Sequence, residues 1–161
     1  MRAHDESRER TEPLGKARFQ IVIDCHDPAR MCAFWTAALG YEIEPPPPGF
    51  SNWDEYWRDV GVPENELGGG PDRIADPTGR APRIWFQVVD EPKTIKNRVH
   101  FDLGASGGRG VSLEERKRRV QAEADRLCRL GATQVQVFFE EGLDHFAIGL
   151  RDPEGNEFDI N

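Results

Sequence analysis

The sequence predicts an α+β protein in which two βαβββ modules with mixed sheets enclose a cleft. Three observations carry this. An order of strand, amphipathic helix, Leu-Gly and further strands occurs twice, with Leu39-Gly40 matching Leu130-Gly131, and a repeat of so long a period marks duplicated supersecondary units. Apolar residues recur at helical spacing in the helix segments and at a spacing of two in the strand segments. The 161 residues suffice for one domain with a full core, or for two small halves that share one.

Taken in order, residues 1–17 are polar, charged and nearly free of apolar side chains, and are expected to form a disordered tail. They lack the apolar stretch of a secretory signal. Phe19 to Cys25 is short and β-branched, so it reads as a strand. Asp27-Pro28 supplies a cap and a first helical residue. Met31, Phe34, Trp35, Ala38 and Leu39 then form one apolar helix face, which Gly40 ends. Tyr41 to Glu44 begins a second strand. Residues 45–82 show little periodicity, with prolines at 45–48, the aromatics Phe50, Trp53, Tyr56 and Trp57, and glycines at 68–70. They read as an insertion that covers a site or moves. Ile84 to Val89 returns to strand.

The second pass is similar. Arg98 to Leu103 is a strand, Ser112 to Glu115 fits a capping box, and Val120, Ala124, Leu127 and Leu130 continue a helix stripe. Strands follow at Thr133 to Glu140, His145 to Asp152 and Glu157 to Ile160, with turns at Gly142 and Asp152 to Gly155. The domain is expected over 18–161, with a first module at 18–90 and a second at 97–161. Side chains alternate along a strand. Phe19, Ile21, Ile23 and Cys25 should therefore face their helix, as should Val99, Phe101 and Leu103. Gln20, Trp85, Gln87, His100, Asp102, Glu157 and Asp159 should face the enclosed space.

Composition narrows the function. A net charge of −8 argues against nucleic acid as partner, because phosphate binding needs a basic footprint. No apolar run approaches the roughly 20 residues that span a bilayer, so no membrane is expected. Cys25, Cys32 and Cys128 lack C-x-x-C spacing and read as small buried apolar residues of a reducing cytoplasm. Gly104 to Gly108 spells G-x-S-x-G. A nucleophile elbow needs a helix directly after its serine, and here the next helix begins several residues later, so a glycine-rich loop is the reading.

At Gln20 to Asp24, Asp27-Pro28, Phe34-Trp35, Ala38 to Gly40, Lys93, Lys96 to Leu103 and Asp152 to Phe158 the sequence resembles the vicinal oxygen chelate superfamily. Within it, the glyoxalase-like and bleomycin-resistance-like proteins are most similar. The resemblance implies the glyoxalase/bleomycin resistance/dioxygenase fold, a cup-shaped cleft, a homodimer and a small-molecule ligand. It further implies metal ligands near Gln20, Gln87, His100 and Asp159, of which His100 alone keeps a usual ligand type in its usual place. The implied function is binding of a small organic molecule. It would serve either a lyase, isomerase or dioxygenase acting on a carbonyl- or diol-bearing substrate, or non-catalytic sequestration of a drug or metabolite.

A divalent metal wants imidazole or carboxylate ligands. Two neutral amides beside one histidine and one aspartate would make a weak cage. Three readings of His100 therefore stand open. It ligates a metal with Gln20 and Asp159, it acts as a binding or acid/base residue held by Asp102 or Asp159, or it is structural with its hydrogen bonds satisfied. Glu157 is a candidate proton carrier or a solvated strand end. Gln20, Trp85, Gln87 and Asp102 are candidate ligand contacts, with core packing the alternative for Trp85. For Trp53, Tyr56 and Trp57 the alternatives to a ligand wall are a local mini-core or a dimer contact. Apart from a divalent metal, no cofactor is expected.

Overall fold

Residues 19–161 are described in a computed structural model of the chain, so the expected tail at 1–17 lies outside them. Their elements are β1 (Ile21–Cys25), α1 (Pro28–Leu39), β2 (Glu42–Ile43), α2 (Trp53–Asp59), β3 (Arg73–Ala75), β4 (Ile84–Val88), β5 (Asp102–Leu103), α3 (Leu113–Leu130), β6 (Thr133–Phe138), β7 (Ala147–Arg151) and β8 (Glu157–Ile160). A 3-10 turn covers Glu64–Glu66. Two four-stranded sheets form in the orders β1-β4-β3-β2 and β5-β8-β7-β6. In each, the first strand of the module runs parallel to the last and the rest pair antiparallel. The α+β class and the duplicated mixed sheets match the sequence reading.

Local chemistry sets the helix ends. Asp27 accepts from the Arg30 amide at 2.9 Å with Pro28 in the first turn, and Gly40 closes α1 at φ 70°. Ser112 accepts from the Glu115 amide ahead of α3, and Gly131 ends it at φ 117°. Both closures need the left-handed region that glycine enters without strain.

The insertion is better ordered than its sequence implies. Trp53 and Trp57 stack with ring centroids 5.5 Å apart. The Arg73 guanidinium lies 4.2 Å over Trp53, and the Trp53 indole donates to the Glu44 carbonyl at 2.8 Å. This small core anchors α2 to β3, a strand the sequence leaves as loop. Elsewhere strands shorten. β5 keeps only Asp102 and Leu103 because β8 is its sole partner, in the register Asp102↔Asp159 and Leu103↔Ile160. Phe19 and Val99, expected on the helix side, are 74% and 78% exposed, since both precede the paired part of their strands.

One core serves both modules. The Trp35 ring, 2% exposed, meets Phe34 at 5.2 Å, Phe101 at 5.4 Å and Phe158 at 5.2 Å, each edge to face. Phe101 and Phe158 belong to the second module, so the first module's helix is wedged beneath the second sheet. The indole N–H donates to Asp152 Oδ2 at 3.3 Å, and Asp152 also accepts from the Glu154 and Asn156 amides. Glu154 reaches back to accept from the amides of His26 and Asp27, the latter at 2.6 Å. Cys25 and Cys32 are buried in this core and their thiols are pushed up to about 12, chiefly by burial, so both stay protonated.

Trp35→Phe should cost about 1–3 kcal/mol in urea unfolding, because it removes the indole donor from a buried carboxylate while keeping an aromatic ring in the wedge.

Candidate functional site

His100 stands just ahead of β5, and alternation puts its side chain on the same face as Asp102. The parallel register then places Asp159 of β8 beside Asp102. Three polar side chains meet as a result. His100 Nε2 lies 3.4 Å from Asp102 Oδ1 and 3.4 Å from Asp159 Oδ2. One ligand atom from each lies within 4.8 Å of the others.

Space behind the carboxylate is set by Gly149, which pairs with Asp159 in the β7–β8 ladder. A Cβ on Gly149 would stand 3.2 Å from Asp159 Oδ1 and 3.2 Å from the Phe138 ring. Its backbone carries no positive φ, so the glycine is there for room. Sequence reading misses both Gly149 and Phe138. A lone glycine inside an apolar strand is the available signal, since it marks close approach of a neighbour.

A cavity of about 1070 Å³ opens beside this cluster, between β1, the segment joining the modules and the β7–β8 turn. Val22, Asp24, Lys93, Val99, His100 and Glu157 are among its walls. Glu157 Oε2 accepts from the Asn97 amide at 3.0 Å and from Lys93 Nζ at 3.1 Å. Desolvation opposes its ionisation, but these two donors prevail and hold its carboxyl at about 2. The pair ties the joining segment to β8.

Of the remaining expected residues, Gln20 and Trp85 have other partners. Gln20 Oε1 accepts from Arg83 Nε at 2.6 Å, and Arg83 also pairs with Glu44 at 3.1 Å. The Trp85 indole donates to Asp72 at 3.0 Å, and Asp72 binds Arg73 at 2.7 Å. Gln87 lies opposite Asp24 in the β1–β4 ladder, on the Trp85 face. The Gly104 to Gly108 stretch is a loop, with Gly107 and Gly108 at φ 87° and 82°, and α3 starts only after Ser112.

The His100 cluster fits a divalent cation. Ligands about 2.0–2.2 Å from a metal stand about 3–3.5 Å apart, and one imidazole with two carboxylates suits zinc, manganese or iron. The donor set is richer in carboxylate than the expected set of two amides, because Asp102 joins it.

Gly149→Ala should displace Asp159 or Phe138, read as a lowered melting temperature with the secondary structure unchanged in circular dichroism, and should weaken any divalent-cation binding by the cluster several-fold. Glu157 is held below its ordinary 4.5, at about 2. It therefore adds stability above pH 4.5 that is lost as pH falls towards 2. Glu157→Gln should lower the melting temperature at pH 7 and flatten its fall over that acid window.

Comparison with known proteins agrees with this architecture. A family profile described as a glyoxalase-like domain matches residues 20–161. A glyoxalase/bleomycin resistance/dioxygenase family enzyme from Burkholderia phytofirmans PsJN superposes with a TM-score of 0.52 at 18% identity, covering 88% of this chain and 94% of that one. A variant of the fosfomycin resistance protein FosX from Listeria monocytogenes, complexed with Mn(II) and dihydroxypropylphosphonic acid, gives 0.54 at 13% identity, with 92% and 90% covered. FosX from Mesorhizobium loti gives 0.52 at 10% identity, with 91% and 92% covered. No curated protein matches the sequence. No helix among the described residues is long and apolar enough to cross a membrane. With nearly its whole described length matched, the chain belongs to the glyoxalase-like domain family.

Proposed function

We propose that the cleft binds a small organic molecule bearing a carbonyl or a vicinal pair of oxygens, beside a divalent metal held by His100, Asp102 and Asp159. One observation carries the reading. His100 Nε2 sits 3.4 Å from carboxylate oxygens on two different residues, at the wall of a cavity of about 1070 Å³. That volume is slightly above the roughly 300–1,000 Å³ usual for ligand pockets. The complex of a FosX variant with Mn(II) and a diol-bearing acid supports the choice of metal and of oxygen ligand.

A bound metal would supply Lewis-acid polarisation of a substrate oxygen. The residues do the rest. Asp102 and Asp159 stand beside His100 Nε2, where they would share the cation with it and supply the negative charge it needs. Val22 and Val99 give the molecule apolar walls. The free thiols suit a reducing cytoplasm, and the exposed Phe19 and Val88, which lie outside the cavity wall, offer a homodimer an apolar contact.

A second reading, sequestration without catalysis, is favoured by Glu157. Held as a carboxylate by Lys93 and the Asn97 amide, it serves as a structural tie and brings no proton to a substrate at neutral pH.

Calorimetric titration with Mn(II) tests the first reading. The protein should bind about one ion, and His100→Ala and Asp159→Asn should each weaken binding about tenfold or more. Equal affinity in all three proteins would overturn it. A protein that binds no metal yet retains a ligand would favour sequestration.

A further inference from the structure

A second cavity, of about 550 Å³, lies at the other end of the seam between β1 and β5. Its walls are mostly apolar, including Ala38 and Leu39 at the end of α1, Tyr41, Ile84, Leu103 and Ala105. His100 and Asp102 stand where it meets the first cavity, and the polar groups along the rest of its rim are already engaged. The Tyr41 hydroxyl donates to the Pro82 carbonyl at 3.2 Å, and Glu123 is paired with Arg126 at 2.5 Å. An apolar group lodged beyond His100 and Asp102 would therefore strand no polar partner.

The two cavities are contiguous in the fold. Ile21, His100 and Phe101 line both. Phe101 is fixed edge-on against Trp35 at 5.4 Å, so it forms a rigid sill at their junction. The imidazole stands at the same junction with its Nε2 turned to Asp102 and Asp159.

We propose that this second cavity receives an apolar arm of the molecule whose oxygen-bearing head is held at His100. The proposal rests on the head-binding reading above, and extends it by naming the ligand class: an oxygen-bearing head joined to an unbranched aliphatic arm. Burial of that arm supplies affinity that the open, half-exposed head site lacks, because each methylene withdrawn from water adds a roughly constant increment.

A homologous series tests it. Alkyl hydroxamic acids from acetyl to octanoyl present the same pair of oxygens on arms of increasing length, and calorimetry in the presence and absence of Mn(II) reads their affinity. The affinity should rise about threefold to fourfold per added methylene until the cavity is full. Ala38→Leu and Gly104→Leu fill the cavity from different elements. A Cβ at Gly104 meets nothing within 4 Å, and its φ is not positive, so that variant should fold where the helix variant does not. Each should flatten the series, and the acetyl compound, too short to pass the sill, reports whether the head site survives. An affinity independent of arm length in the unaltered protein overturns this inference and leaves the head site standing. A rise that persists undiminished in both filled variants overturns it as well. Failure of every member to bind, with or without Mn(II), overturns the head-binding reading and this inference together.

Discussion

The structure depends on one contact between its halves. A sheet of four short strands with one long helix and at most one short one cannot close a core alone, and each module here is of that size. The chain solves this by driving Trp35 from the first module beneath the sheet of the second, where Phe101 and Phe158 receive it. Burying an indole requires a partner for its N–H, and the Asp152 carboxylate is that partner. Burying the carboxylate raises its pKa, an effect opposed by the side chain and amide of Asn156, the amide of Glu154 and the indole. The wedge and the turn thus satisfy each other, and Glu154 adds a third tie at the start of α1. The seam between β1 and β5 is left without a ladder across it, and both cavities open along that seam.

The modules share a strand order but not a face. In the first, Asp72, Arg73 and Trp85 form a closed set of bonds beneath the aromatic insertion, and Gln20 is taken up by Arg83. Those polar side chains are spent on one another. In the second module, among the described residues, the matching face keeps His100, Asp102 and Asp159 together and half open to solvent. The two faces match in strand order, and the insertion engages Arg73 on the first of them.

What the sequence makes readable follows from periodicity. A spacing of two puts His100 and Asp102 on one face and Phe101 on the other, and the duplicated order puts the last strand of a module beside its first, which brings Asp159 near. The class, the sheets and this grouping need nothing more. Gln20 cannot be placed that way, because its partner Arg83 lies 63 residues on. The ordering of 45–82 is hidden for the same reason: Arg73 caps Trp53 only once β3 is paired. Even so, a cue to β3 is present. Asp76-Pro-Thr-Gly79 repeats Asp152-Pro-Glu-Gly155, and in both turns the aspartate accepts from amides two and four residues on.

Those twin turns differ in one respect. Asp76 is satisfied within its own turn by Thr78, Arg80 and Ala81, whereas Asp152 Oδ2 accepts from an indole of the opposite half as well as from Asn156 of its own turn. Recombination that shuffled modules among related genes would have to transfer indole and carboxylate as a matched lock and key. A chimera inheriting the indole alone would bury an unmet donor, and one inheriting the carboxylate alone would bury it with only the donors of its own turn.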